Sequence, residues 1–282
     1  MANTRCRLFR IKALSNMHVG SGETTFGIVD NLVQKDVISD IPTIHSSSIK
    51  GALREFFEEE LEEHDLVRFI FGPGPKEKQG SKDAKGGGMY RFFSAKLLSI
   101  PARSNKSPFF RAVSPYILND FLVDIDLFQV EFSIKDKLKE FAAITPDKGK
   151  PLIFDNELQG ALIEDMQAEY NSFDTGQLEP ILGDTIAMFH HDDLKKHCKN
   201  LPVIPRNYLE NGISQNLWYE EVVPRQSLFY TIIAAPEADS EAIKTIDEKF
   251  FNELQNNIIQ IGGNATIGYG CTKIDQINQE VQ

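Results

Sequence analysis

Asp30 stands inside a short apolar run, Gly27-Ile28-Val29-Asp30-Asn31-Leu32-Val33. A carboxylate in such company is costly to bury unless it reaches an exposed loop or is put to use. Used, it can take a proton from a hydroxyl nucleophile or hold a divalent metal. Unused, it closes an Asx turn with the help of Asn31. His18 opens a Gly/Ser/Thr loop over residues 18–25, where an imidazole can position a phosphate or act as an acid, or simply be structural. Near the other end lies GGNATIGYG, residues 262–270, with four glycines in nine residues. Gly262, Gly263, Gly268 and Gly270 permit positive φ and close backbone approach, and such a loop can turn several amides toward one phosphate. The plainer alternative is a tight turn with no ligand.

Cations suited to phosphate fall in two places. Lys50 and Arg54 lie one turn apart near the start of a helical pattern, where the free amides and dipole already attract anions. They can equally be helix-surface charges paired with Glu55 or Glu58. Arg103 and Lys106 are weaker candidates, within a window from Ala84 to Asn119 that holds no Asp or Glu. That window interleaves six Lys and Arg residues with Tyr90, Phe92, Phe93, Phe109, Phe110 and Tyr116. Cations that hold phosphates beside rings that stack on bases suit an RNA-facing surface. A strand-rich core whose acidic partners come from elsewhere fits equally well. His190, Asp193 and His197 would share one helix face, but their spacing matches no standard zinc signature. A solvated helix is the better reading.

The elements that must carry these groups follow from pattern. Residues 5–14 read as a strand with Phe9, Ile11 and Ala13 on one face and Arg10 and Lys12 on the other. Ser46, Ser47 and Ser48 offer N-caps to a helix bearing Ile49, Leu53, Phe56, Phe57 and Leu61. Residues 73–88 are a low-complexity Gly- and Lys-rich loop. Strands resume over 89–93 and 95–100. Residues 121–200 carry mixed helix signals and read as an insertion. Residues 202–224 form a hairpin turning at Leu209-Glu210-Asn211-Gly212. A strand over 228–235 and a helix capped at Asp239 or Ser240, with Ile243, Ile246, Phe250, Leu254 and Ile258 inward, lead to the glycine loop and a final strand. Two strand–helix–strand halves around one antiparallel sheet predict an α+β, ferredoxin-like (RRM-type) core in a single domain, 1–282.

Bulk properties bound the rest. The chain of 282 residues can bury a sizeable core, and 41% apolar and 25% charged residues are ordinary for a globular protein. No apolar run approaches the ~20 residues a membrane helix needs, and the start lacks the apolar core of a signal peptide. Cys6, Cys198 and Cys271 make no CxxC pair, so a disulfide framework or structural zinc is not expected and a cytoplasmic setting fits. Net charge is 30 − 41 = −11. This disfavours loose binding of nucleic acid, whose affinity comes largely from neutralised phosphates, and requires a local basic groove if RNA is held.

Taken in order along the chain, six segments resemble the RAMP superfamily of CRISPR proteins, and within it the repeated backbone subunit of the type III-B (Cmr) effector complex. They are GIVDN at 27–31, IHSSSIKGALR at 44–54, Phe71-Gly72, SAKLLSIPARS at 94–104, LWYEEVVP at 217–224 and the glycine loop at 262–270. The resemblance implies a palm of about residues 1–120 and 225–282, with a fingers insertion and a thumb hairpin within about 121–224. It implies copies stacked along a guide crRNA, with other effector subunits, cutting complementary target RNA at regular intervals in antiviral defence. It implies Asp30 as the catalytic and metal-holding residue, with Mg2+ or Mn2+, and His18 as a helper. Glu221 matches the glutamate before Val-Val-Pro in that pattern, with Glu220 as its neighbouring ambiguity and a hairpin-surface charge as the plain alternative. Ser47, Lys50, Arg54, Arg103, Lys106 and the four loop glycines are then the guide-RNA contacts.

Three alternatives remain open at this level. One is a non-catalytic guide-binding RAMP, another the equivalent subunit of the type III-A complex. The third, a small-molecule enzyme using the glycine loop for a nucleotide, ranks lowest, because no Walker lysine follows the loop and no GxGxxG opens a helix.

Overall fold

The computed structural model describes residues 4–22, 27–74, 87–237 and 239–277. The end of the 18–25 loop and most of the 73–88 loop lie outside these residues. In chain order the elements are β1 (Thr4–Ala13), β2 (Thr43–Ile44), α1 (Ser46–Glu55), a π-helical turn Phe56–Glu60, α2 (His64–Phe71), β3 (Arg91–Phe92), β4 (Ala95–Ala102), β5 (Phe110–Val113), α3 (Pro115–Leu127) and α4 (Lys135–Ala142). There follow β6 (Leu152–Ile153), β7 (Leu162–Ile163), β8 (Met166–Gln167), β9 (Glu169–Tyr170), α5 (Glu179–Leu182), β10 (Ile186–Met188) and α6 (His191–Lys199). The chain ends with β11 (Val203–Glu210), β12 (Ile213–Glu221), β13 (Leu228–Pro236), α7 (Glu241–Asn256), β14 (Ile258–Gln260) and β15 (Cys271–Gln276).

The result is an α+β protein around a large mixed sheet. Its heart runs β15–β1–β13–β4, all antiparallel, and β5, β10, β6 and β9 extend it. The alternation in β1 does what its pattern requires: Phe9, Ile11 and Ala13 are buried on one face. Leu8 is buried too, because the opposite face is also covered. On the first face, α1 and α7 cross the sheet over Phe9, Phe57, Phe71, Phe92, Phe250 and Phe251. Phe9 stacks on Phe251 at 5.3 Å and Phe71 on Phe92 at 5.1 Å. On the other face, α3, α4 and α5 bury Leu8, Leu98, Tyr230 and Ile232. Residues 228–235 of β13 are therefore buried throughout, as expected of a central strand covered on both sides.

Several boundaries differ from expectation for local reasons. The N-cap of α1 is His45, not a serine; Ser94 Oγ accepts the Ser46 amide at 3.1 Å, so a distant side chain does the capping. Ile258 belongs to β14, not to α7, since Asn257 turns extended and its Nδ2 donates to the Glu253 carbonyl at 3.0 Å. The strand expected at 89–93 shrinks to Arg91–Phe92. The helix cap at Ser240 and the hairpin turn at Asn211-Gly212 stand as read, the latter with positive φ at both residues, as a type I′ turn demands. The acid-free window proves to be mostly core: Tyr90, Phe92 and Phe110 are buried. Some of its cations find outside acids, Lys96 pairing with Asp120 and Asp124 and Arg103 with Glu164. No helix among the described residues is long and apolar enough to cross a membrane.

Candidate functional site

The hairpin β11–β12 projects from the sheet, and its root carries the site. The Asp30 segment lies along the end of β12: the amides of Asp30 and Asn31 donate to the Tyr219 carbonyl at 3.0 and 3.1 Å, and the Glu221 amide donates to the Asn31 carbonyl at 2.9 Å. The Asp30 carboxylate accepts the Tyr219 amide at 2.8 Å. Asp30 is exposed, as is Ile28, so the apolar run does not bury the acid. It presents the acid on a strand-like segment pinned to a neighbour.

The two adjacent glutamates face opposite ways, as period-two geometry requires. Both are buried. Glu221 accepts from Lys35 Nζ at 2.7 Å and from the Val33 amide at 3.1 Å, one bond on each oxygen. Glu220 Oε1 accepts from Trp218 Nε1 at 3.0 Å and Asn31 Nδ2 at 3.4 Å. Its Oε2 accepts from Arg206 Nε and Asn264 Nδ2, each at 3.0 Å. Burial opposes charge on Glu220, but the Trp218 and Arg206 hydrogen bonds and the nearby charges of His18 and Arg206 outweigh it and hold its acidity below the usual glutamate value. Arg206 completes the cluster by lying over the Tyr269 ring at 4.6 Å.

His18 joins from the loop after β1. Its Nδ1 lies 2.7 Å from the Glu221 carbonyl, which can only accept, so Nδ1 carries a proton. The His18 carbonyl accepts the Gly263 amide at 2.9 Å. Gly262, at φ 92°, passes so close that a Cβ there would collide with the same carbonyl oxygen. The glycine loop is thus a tight β14–β15 turn built against His18. Its amides at Gly263, Ile267, Gly268, Tyr269 and Gly270 all donate to protein carbonyls, which corrects the picture of many amides turned toward one anion.

With this geometry in place, comparison with known proteins is decisive. Residues 10–273 match the RAMP superfamily. The chain belongs to that superfamily. It is 31% identical to the CRISPR system Cmr endoribonuclease Cmr4 of Pyrococcus furiosus over 286 residues, covering 95% of this chain and 94% of that protein. Its fold is similar to chains of the type III-B Cmr-beta complex solved by cryo-EM. The apo state gives a TM-score of 0.79 at 21% identity, covering 97% of this chain and 98% of that one. The state bound to cognate target RNA gives 0.78 at 22% identity, covering 98% of each chain. The likeness to the type III-B backbone subunit, implied by the motifs, holds.

This RAMP protein therefore brings His18, Asp30, Glu221 and Gly262–Gly263 together, and adds Glu220. The start of α1 adjoins them through Gln34, whose Nε2 donates to the Gly20 carbonyl at 3.1 Å and to Ser48 Oγ at 3.0 Å. Ser47 is exposed and Lys50 half-buried there. Arg54 points toward the far end of α1, its Nε on Glu58 at 3.0 Å and its Nη1 on the Gly72 carbonyl at 2.9 Å. Arg103 and Lys106 lie apart from the site, in the β4–β5 turn beside β7. His190 caps α6, Asp193 accepts the Gly149 amide at 2.6 Å and His197 bonds the Pro101 carbonyl at 3.0 Å, so each of the three is engaged by a different part of the chain.

A divalent ion at Asp30 was expected, but the RAMP site's donor set does not fit a protein-built metal cage. Glu220 and Glu221 already satisfy both oxygens, and among the described residues no three metal-ligating side chains converge. Sequence reasoning missed Lys35, Arg206, Trp218, Asn264 and Tyr269. Only the hairpin register, which sets Arg206 opposite Trp218, could have hinted at part of the cluster.

Proposed function

We propose that this RAMP protein is a type III-B backbone subunit that stacks with further copies along a guide crRNA, beside other subunits of the effector complex, and cleaves bound target RNA. The observation that carries the reading is Asp30: an exposed carboxylate pinned to Tyr219 of β12, the strand that carries the buried glutamates and holds His18 through the Glu221 carbonyl. The 31% identical relative is named an endoribonuclease, and a structural neighbour holds cognate target RNA. In finer terms, β15–β1–β13–β4 with α1 and α7 is a ferredoxin-like palm, β11–β12 a thumb, and much of 121–200 a fingers insertion, all in one cytoplasmic domain. The start of α1 (Ser47, Lys50) and the exposed side of the glycine loop meet the guide backbone, whose contacts carry no sequence information and suit any spacer, while Arg54 stays with Glu58 and the Gly72 carbonyl.

Cleavage then needs an in-line 2′-hydroxyl. Asp30 takes its proton, the 2′-oxygen bonds to phosphorus and the bond to the 5′-oxygen breaks. His18 Nε2, when protonated, returns a proton to that 5′-oxygen. Glu220 and Glu221 act as positioning residues, holding the Asp30 segment on β12 and fixing the His18 tautomer through the Glu221 carbonyl. The test is target cleavage by the reconstituted complex, wild type beside Asp30→Asn. Evenly spaced products lost in the variant support the reading. Identical ladders move catalysis elsewhere, and no ladder from either favours a purely structural RAMP.

A further inference from the structure

A groove of about 750 Å³ opens under the hairpin root, on the side of segment 14–18 where Arg225 and Gln226 follow β12. Asn16 joins it to the site: its carbonyl accepts the Gly270 amide at 2.8 Å, and its Oδ1, which borders the groove, accepts the Arg225 amide at 3.1 Å. Its floor includes Phe109, and its rim Arg103, Lys196, His197 and Arg225. The two carboxylates lining it are engaged, Glu164 by Arg103 and Asp193 by the Gly149 amide. Lys196 and Arg225 are exposed and form no ion pair among the described residues, and neither does Lys106 on the adjoining turn. In a chain of net charge −11, two such cations line one concave surface, and a third stands on the adjoining turn.

The aromatic floor is chemically prepared as well. Phe109 is half-buried, and the buried Arg111 guanidinium lies 5.3 Å from its ring centroid. His197 Nε2 must donate to the Pro101 carbonyl, which leaves its Nδ1 as an acceptor. Unpaired cations and a half-buried ring lining one groove are the chemistry of single-stranded nucleic acid, with affinity from the backbone and stacking on any base. We propose that this groove is a second RNA contact, which seats a single-stranded segment with its phosphates on Lys196 and Arg225 and a base against Phe109. It rests on the reading of this chain as an RNA-holding subunit, and extends it to Phe109, Lys196 and Arg225, which lie outside the six family-like segments.

The test uses the full chain assembled on its guide RNA. Guide retention is titrated against KCl for wild type, Lys196→Gln/Arg225→Gln and a control, Lys244→Gln, on the remote α7. Two lost phosphate contacts predict affinity about tenfold weaker at physiological salt and a log–log salt slope shallower by about 1.4. In parallel, 4-thiouridine is placed in the guide or in an added target strand and photocrosslinked. Crosslinks to peptides holding Phe109 or residues 196–200 support the groove, and the labelled strand identifies which RNA enters it. Wild-type slope and affinity in the double variant, with crosslinks confined to α1 and the glycine loop, overturn it. A wild-type chain that retains no RNA fails the broader reading instead, so the two failures are distinct.

Discussion

At the end of β12 both oxygens of Glu220 and both of Glu221 are taken by protein donors, whereas a few residues further on, Arg225 stands with no ion pair among the described residues. The first region is closed and its charges cancel in pairs, Glu221 with Lys35 and Glu220 with Arg206. The second is open, and its cations await a partner. Closed charge is suited to holding a backbone segment rigid. Open charge is suited to binding a polyanion, at the cost of salt sensitivity. The contrast shows how an acidic chain can serve RNA: the glutamates at the hairpin root are held by their neighbours, while Lys196 and Arg225 on the adjoining groove are left open.

The comparison breaks most visibly at Asp30, the one acid of the closed region that is exposed. Asp30→Asn is expected to slow single-turnover target cleavage by a factor on the order of 100 or more while guide retention is unchanged. A wild-type rate would leave the closed region purely structural. Next comes the hub itself. Glu220→Ala strands Arg206 with no counter-charge in a mostly buried place and removes the acceptor of three other donors, so urea unfolding should show a loss of about 3 kcal/mol. A loss under about 1 kcal/mol would mean the four bonds contribute little, and the rigidity argument would fall.

The same carboxylate sharpens the comparison through pH. Its folded value lies below the ordinary 4.5, so its stabilisation is present above that value and is lost as pH falls through the lower folded one. Wild type should therefore lose stability across that acid window more steeply than Glu220→Gln, as read by unfolding midpoints at stepped pH. Parallel curves would deny Glu220 its role. The glycine loop offers a finer cut. Gly262→Ala puts a Cβ into the His18 carbonyl at positive φ, whereas Gly268→Ala meets nothing within 4 Å at φ 79°. The first should cost about 2 to 3 kcal/mol and impair cleavage through His18; the second about 1 kcal/mol with cleavage kept. The smallest effect is expected at Tyr269→Leu, which removes the ring beneath Arg206 for about 0.5 to 1 kcal/mol in a thermal melt.

How far the site was legible can be judged residue by residue. Asp30, His18 and the glycine loop stand out from residue type and spacing; the structure packs the loop on His18 and ties His18 and Asp30 to the same strand, β12. Glu221 came only through family likeness, and its oxygens turn out to be occupied by Lys35 and Val33. Lys35 and Asn264 carried no local signal, since each matters only through a partner 186 or 44 positions away. Arg54 was read as facing phosphate, but its nearest acceptors are Glu58 and the Gly72 carbonyl.

The sequence by itself determined what depends on a few consecutive residues. The alternation of Phe9, Ile11 and Ala13 makes β1, Asn211-Gly212 makes the hairpin turn and Ser240 starts α7, because backbone sterics and capping act within a turn or two. Only the tertiary structure decided which charges are spent and which are left. Coulomb and hydrogen-bond energies depend on distance in space and on burial, and both are set when β1, β12 and the glycine loop are brought to one place.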